Sequence, residues 1–330
     1  MNYFFHSFPR SRRDESRDRQ FAKGLRIAES LLANGLLLTP ENYSLPIIGD
    51  AGEAIDTLTA TQRRACFTEL PAADLPQHSK TFGPFALAFS VERLRQLGAL
   101  PVFYIPTRMA EGYLSNLGSE VLLGVTDAAR IIASLAMIQR KLAESPDIQL
   151  KFRGKVLDYS VQESAVIRSF IDTLFESALT DAATTDFRLA AAASCFYPTE
   201  NTAYTEQLAY YRQREWRIVH GSFTFAGNAP FTKATDTQVA TLIKIDKDLF
   251  SKELIFQDRQ PGIGAKVQDT IGRRSFFYRN LGDIDVVGSA KYFIYPDELD
   301  VPEPLRNEFE QRGVTPISER DFLSSETPGA

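Results

Sequence analysis

The chain is poor in the residues that build metal centres and disulfide frameworks. Its 330 residues include two cysteines, three histidines and one tryptophan. Cys66 and Cys195 lie far apart and fit no metal-ligand spacing. So few thiols point to a reducing compartment, and the expectation is a cytoplasmic protein with both cysteines reduced. His6, His78 and His220 are too scattered to argue for a metal. The sequence holds no H-E-x-x-H, no C-x-x-C, no G-x-S-x-G and no Walker-type phosphate loop. Pro261-Gly262-Ile263-Gly264 lacks the third glycine and the strand-to-helix setting of a dinucleotide fingerprint, and reads as a turn. No apolar run approaches the ~20 residues needed to span a bilayer, so no membrane association is expected. Met1 to Pro9 has neither the basic start nor the long apolar core of a signal peptide. A net charge of −5 disfavours nonspecific wrapping of DNA, although a local basic patch could still hold nucleic acid.

What is present is the composition of a globular protein, with 44% hydrophobic and 24% charged residues. Asn2 to Phe8 reads as a short buried strand carrying His6 and Ser7. A charge run from Arg10 to Arg19 follows and reads as a solvated loop or helix start. Gln20 to Ala33 places Leu25, Ala28, Leu31 and Leu32 on one helical face, and Asn34-Gly35 supplies the stop. Leu36 to Leu38 is extended, with a loop expected from Pro40. Strands are expected at Ala65–Glu69, Phe85–Ser90 and Pro101–Ile105, with a loop over Pro71–Lys80 and a short helix over Val91–Leu97. Glu120–Leu142 and Gln162–Ala178 carry apolar residues at helical spacing, with an extended linker over Lys151–Asp158 between them. Further along, Ser222–Phe225, Val239–Ile245, Glu253–Phe256 and Ala290–Tyr295 look extended. Pro302–Arg312 reads as a helix stopped by Gly313, and the tail from Ser324 as loose.

Tyr210 to Val219 is the most informative stretch. As a strand it puts Tyr211, Gln213, Glu215 and Arg217 on one face, and Arg212, Arg214, Trp216 and Ile218 on the other. Burial of Trp216 and Ile218 would anchor the strand and hold Glu215 in a rigid position. Such a carboxylate can stabilise a developing cation, or it can simply pair with Arg217 or Arg214. Cys66, in an expected buried strand, reads as packing rather than as a nucleophile.

The order of a His6-Ser7 strand, a helix ending in Asn34-Gly35-Leu36 and a late strand-borne Glu215 resembles the layout of ADP-ribosyltransferases, in particular their DarT-like branch. That resemblance implies NAD as a substrate, with Glu215 stabilising an oxocarbenium-like state during cleavage of the nicotinamide–ribose bond. It also implies that His6 and Ser7 orient the cofactor. Arg10 or Arg12, chosen on charge alone, would reach the pyrophosphate. The loop holding His78 and Phe82 would cover the nicotinamide pocket, with Phe82 against the ring and His78 at a phosphate or at the target.

A second resemblance rests on several motifs in order. These are Ala65-Cys66-Phe67-Thr68-Glu69-Leu70-Pro71, then His78, then Phe82-Gly83-Pro84-Phe85-Ala86-Leu87-Ala88-Phe89, then Pro101-Val102-Phe103-Tyr104-Ile105, and finally Gln213-Arg214-Glu215-Trp216-Arg217. Over about residues 1 to 220 the chain resembles the AbiGi family of abortive-infection proteins. Phe82 stands where that family usually has tyrosine, Ala86 where it has a second glycine, and Gln213 where it has a first glutamate. The resemblance implies anti-phage defence, and its members are described as antitoxins of two-gene systems. The expected fold is therefore α+β, a mixed, largely antiparallel twisted sheet resembling ADP-ribosyltransferases. It would form one domain over residues 1–330, with a helical insert at about 115–182. The leading functional expectation is an NAD-dependent transferase or glycohydrolase modifying a protein or nucleic-acid acceptor. The alternatives are a non-enzymatic antitoxin or sensor that binds a partner toxin, and a nucleic-acid-binding effector.

Overall fold

The computed structural model describes residues 2–10, 15–48, 54–105, 124, 135, 138, 148–152, 155–159, 165–170, 173, 196–198, 214–220, 230–257 and 266–326. The fold is mixed α+β, built on a largely antiparallel sheet. The first strand, β1 (Asn2–Phe8), leads into helix α1 (Arg17–Asn34). Ala28, Leu31 and Leu32 of α1 are buried, as the apolar spacing requires. Gly35 ends the helix with φ of 89°, and a Cβ there would lie 2.3 Å from the Tyr278 carbonyl oxygen. Both the turn and the close approach demand glycine.

A long hairpin follows, β2 (Leu36–Ile48) and β3 (Ala54–Pro71), paired from Thr39↔Arg64 to Ile48↔Ala54. Pro40 therefore begins no loop. It lies within the ladder opposite Arg63, where pairing with β3 outweighs the local break. Next come α2 (Leu75–Phe82), β4 (Phe85–Phe89), α3 (Val91–Gln96), β5 (Leu100–Pro101) and β6 (Phe103–Ile105). The expected loop over Pro71–Lys80 is largely helix, with Pro76 in the first turn, where its missing N–H costs nothing. The expected single strand over Pro101–Ile105 is split in two at Val102, whose N–H turns to the carbonyl of Glu215.

Within the expected insert, Gly124, Leu135, Ile138, residues 165–170 and Thr173 are helical; the rest of both expected helices lies outside the described residues. Between them β7 (Ile148–Phe152) and β8 (Lys155–Tyr159) form an antiparallel hairpin rather than an extended linker. A short strand, β9 (Phe196–Pro198), runs parallel to β6. The stretch Ser222–Phe225, Cys195 and the Tyr210–Gln213 half of the tryptophan strand lie outside the described residues. That strand, β10 (Glu215–Val219), buries Ile218 and packs Trp216 edge-on against Phe4 at 5.2 Å.

The C-terminal third adds β11 (Phe231–Lys233), α4 (Asp236–Ile245), α5 (Lys247–Phe250), β12 (Glu253–Gln257), β13 (Lys266–Thr270), α6 (Ile271–Arg274) and β14 (Phe276–Tyr278). The strand expected at Val239–Ile245 is helix. Thr235 and Gln238 form a capping box that starts it, a local signal stronger than the β-branched composition. The chain closes with β15 (Asn280–Leu281), β16 (Ile284–Asp285), β17 (Tyr292–Tyr295), α7 (Glu303–Gln311), β18 (Thr315–Ser318) and α8 (Glu319–Glu326). The segment expected to be loose from Ser324 is tied down to Glu326, whose carboxylate accepts from the Tyr3 hydroxyl at 2.6 Å.

The main sheet runs β11-β14-β2-β3-β1-β4-β17-β18, with β10 on β3 and β5. Arg64 of β3 pairs with both Thr39 of β2 and Val219 of β10, and Thr68 pairs with both Phe5 of β1 and Glu215 of β10. Since β10 occupies one edge of β3, β1 and β2 share the other edge, at separate stretches. Between them, opposite Ala65 to Phe67, the sheet is split.

One face of the sheet carries the largest core cluster, with Phe4, Phe67, Phe85 and Phe89 against Leu31, Leu32, Leu94 and Phe309 from α1, α3 and α7. The opposite face has two smaller clusters. Tyr3, Phe5 and Ala88 pack with Leu75 and Phe322 of α2 and α8, while Phe277 packs with Val239, Leu242, Phe250 and Ile271 of α4 to α6. Among the described residues no helix is long and apolar enough to cross a membrane.

Candidate functional site

The split in the sheet opens a cavity of about 700 Å³. Three strands and a helix meet there: His6, Ser7 and Phe8 from β1, Leu37, Thr39 and Glu41 from β2, Arg64, Ala65, Cys66 and Thr68 from β3, and Lys23, Ile27, Ser30 and Leu31 from α1. Leu242, Ile245, Leu249 and Phe250 close the apolar side, and Arg10, His78, Phe82, Glu215, Arg217 and Asp246 are among the remaining lining residues. A cavity of this size, with an apolar body and a few convergent polar groups, is the usual form of a small-molecule site.

Glu215 and Arg217 project from the same face of β10, two residues apart as alternation requires. The Arg217 guanidinium grips the carboxylate with two bonds, Nε to Oε1 at 2.7 Å and Nη2 to Oε2 at 3.1 Å. The Tyr104 hydroxyl donates to Oε2 at 2.5 Å. Burial alone would raise the carboxyl, but the Arg217 charge and these hydrogen bonds outweigh it and hold Glu215 below its ordinary range. The same surroundings push the Tyr104 phenol up, through burial first and the adjacent carboxylate second. Glu215 is therefore ionised, but its charge is matched by a guanidinium that is itself buried. The Cys66 thiol is a further hydrogen-bond partner, so its roughly four acceptor positions are taken.

His6 fills the split itself. Its Nδ1–H donates to the Cys66 carbonyl at 2.8 Å, standing in for the ladder bond that β1 and β3 no longer make. This fixes the tautomer and leaves Nε2 as an acceptor. Burial lowers the His6 pKa against the opposing effect of that bond, so the ring is neutral. Ser7 follows, with a buried hydroxyl that has no hydrogen-bond partner among the described residues. Cys66 is a free thiol pushed up to about 12 by burial and then by Glu215, which leaves it protonated and inert as a nucleophile. On α2, His78 and Phe82 sit one turn apart with their rings stacked at 4.4 Å. Burial takes the His78 pKa down to about 4.

Two further charge pairs belong to the wall and were not among the residues expected from sequence. Lys23 of α1 is bonded to Asp246, which also caps α5 by accepting from the Leu249 N–H at 3.1 Å. Arg64 is bonded to Glu41 across the hairpin and to Gln62 at 3.1 Å. The signal for Arg64 was available, because it alternates with Cys66 and Thr68 on the face that carries Glu215. Lys23 and Asp246 gave none, since only the packing of α1 near α4 brings them together.

The structure thus gathers His6, Ser7, Arg10, His78, Phe82 and Glu215 around one cavity, while Arg12 lies outside the described residues. Phe82 stacks on His78 from a helix rather than from a covering loop. Among the described residues no group of three or more histidine, cysteine, aspartate or glutamate side chains is placed to hold a metal ion.

Comparison with known proteins gives one family. The model described as "Putative abortive phage resistance protein AbiGi, antitoxin" matches residues 53–259. The matched stretch starts after β1, α1 and β2 and runs beyond residue 220, so it differs at both ends from the span read from sequence. It takes in His78, Phe82 and Glu215 but not His6 or Ser7. No curated protein matches, and no solved structure matches. None of the comparisons supports the ADP-ribosyltransferase layout. The match spans more than half of the chain and includes the strand of Glu215 and Trp216: the protein belongs to the AbiGi family.

Proposed function

We propose that this chain acts in phage defence as the restraining partner of a toxin protein, and that it does so by binding rather than by cleaving NAD. The family carries the antitoxin description. The observation that supports binding over catalysis is the state of Glu215. A carboxylate that stabilises a cationic centre must turn its charge to the substrate. Here both oxygens are held by Arg217 and one also by Tyr104. That arrangement fits an anchor that ties β10 to β6 through Tyr104 and to β3 through the Cys66 thiol. Co-expression with the toxin encoded beside it tests the proposal: this chain should relieve the growth arrest, and Glu215→Gln should relieve it too, at reduced abundance. Failure of the parent chain to relieve arrest or to form a complex would refute it.

A second reading keeps the enzyme. Its support is the convergence of His6, Ser7, His78, Phe82 and Glu215 on one cavity. It requires NAD turnover by the parent chain and a loss of about 10²-fold or more in Glu215→Gln.

A further inference from the structure

We propose that the arginine end of the split-sheet cavity, at Arg64, Arg217 and Ser7, binds a phosphate monoester: a terminal phosphate carried on a flat apolar body. Such a site is compatible with either functional reading above. Phe5, Thr68 and Glu215 are cross-strand partners and so share one face of the sheet. Ser7 lies on that face too, two residues beyond Phe5 and opposite Ala86, which packs with Tyr3 and Phe5. Alternation adds Cys66 and Arg64 of β3 and Arg217 of β10. Arg64 and Arg217 are diagonal neighbours across the β3–β10 ladder. His6 points to the other face, against Phe67, and takes no part.

The wall holds four cations, Arg10, Lys23, Arg64 and Arg217, against three acids, Glu41, Glu215 and Asp246. The acids are unevenly placed. Lys23 meets Asp246 and also Glu15 at 3.7 Å, two carboxylates for one ammonium. Arg64 is buried, but its partner Glu41 is 49% exposed, so water screens that carboxylate. Arg10, exposed at the end of β1, belongs to none of these pairs. Burial and then the charge of Arg64 act against the Arg217 cation, and Glu215 outweighs them. The arginine end therefore carries the surplus of positive charge, with two guanidiniums that repel each other, and an anion between them relieves that repulsion.

The donors suit a tetrahedral anion. Arg217 grips Glu215 through Nε and Nη2, while Arg64 reaches Gln62 and Glu41 through Nη1 and Nη2. Arg217 Nη1 and Arg64 Nε are buried and take no part in those bonds. The Ser7 hydroxyl is buried without a partner among the described residues, a costly condition that a ligand oxygen relieves. Donors from three side chains match the three terminal oxygens of a monoester. A carboxylate offers two oxygens, and each phosphorus of NAD offers two that are not bridging. Leu37, Leu242 and Leu249, with the stacked His78 and Phe82 rings, supply apolar walls for the body.

The test is titration calorimetry on the full chain with phenyl phosphate and the 5′-monophosphates of adenosine, guanosine, uridine and cytidine. The comparison ligands are phenol, benzoate, the four nucleosides and NAD. At least one monoester should bind at least tenfold more tightly than the same body without phosphate, and than benzoate or NAD. Ser7→Ala should weaken it about five- to tenfold, the worth of one hydrogen bond. Arg64→Lys, which keeps the charge and loses the fork, should weaken it about tenfold or more. Arg10→Ala should weaken it about two- to fivefold. Ser7→Ala and Arg10→Ala should keep the parent melting temperature, since one removes a hydroxyl without a partner and the other an exposed side chain. They decide the matter even if Arg64→Lys fails to fold. Equal or tighter binding of a nucleoside, phenol, benzoate or NAD would overturn the proposal. So would unchanged affinity in Ser7→Ala, or no binding of any monoester at millimolar concentration.

Discussion

Replacing Arg217 by methionine tests the anchor role of the Glu215 pair most sharply. Methionine keeps much of the arginine stem and removes the guanidinium. Both partners are buried, with Arg217 at 3% and Glu215 at 13% side-chain exposure. Removing one member of such a pair leaves an uncompensated buried charge, a loss of about 3–5 kcal/mol. Glu215 would retain the Tyr104 hydrogen bond and a little solvent, so the lower end, about 3 kcal/mol, is expected. Urea unfolding at pH 7 reads it. The double variant Glu215→Gln/Arg217→Met should cost less than the sum of the two single changes by more than about 1 kcal/mol. The pH dependence follows with a definite sign. In the parent the Glu215 pKa lies below its ordinary value of 4.5, so its contribution is complete above 4.5 and is lost as pH falls through the folded value. In Arg217→Met, burial acts without the guanidinium and raises that pKa. The deficit against the parent should therefore shrink as pH falls from 7, because the orphaned carboxyl takes up a proton. An Arg217→Met protein within about 0.5 kcal/mol of the parent, a spread ordinary for surface changes, would refute the reasoning.

Three further outcomes are expected. Lys23→Met should destabilise by about 3 kcal/mol in thermal or urea unfolding, because Asp246 loses its buried partner while still capping α5. Gly24→Ala should cost about 1–3 kcal/mol by overpacking, since its Cβ would lie 2.1 Å from the Phe85 ring; an unchanged melting temperature would contradict the packing of α1. Stability should fall as pH drops from 6.5 towards about 4. His78 and His220 are both held down to about 4 by burial, so the unfolded chain takes up protons in that window before the folded one. His78→Gln and His220→Gln should each flatten the slope in a melting series.

Where local signals and tertiary pairing agreed, the sequence was a sound guide. The spacing of Ala28, Leu31 and Leu32 with Gly35 gave α1, and the alternation around Trp216 and Ile218 gave the orientation of Glu215. It failed where one term overrode another. Pro40 suggested a loop, but it sits in the β2–β3 ladder. The β-branched run Val239–Ile245 suggested a strand, but the Thr235–Gln238 capping box makes a helix. The convergence of His6 and Glu215 was anticipated, whereas the split that creates the cavity was not. It arises because β1 and β2 share one edge of β3, a feature of pairing that no local pattern encodes. The alternation of β10 also placed Arg217 beside Glu215, but that the guanidinium takes both oxygens depends on side-chain rotamers that no alternation encodes.

The central claim is that this chain restrains a partner and leaves NAD intact. The most direct measurement follows NAD loss over time with purified parent and Glu215→Gln proteins, alone and with the co-expressed toxin. Neither protein should consume NAD, and both should form a complex with the toxin. NAD consumption by the parent that disappears in folded Glu215→Gln would contradict it.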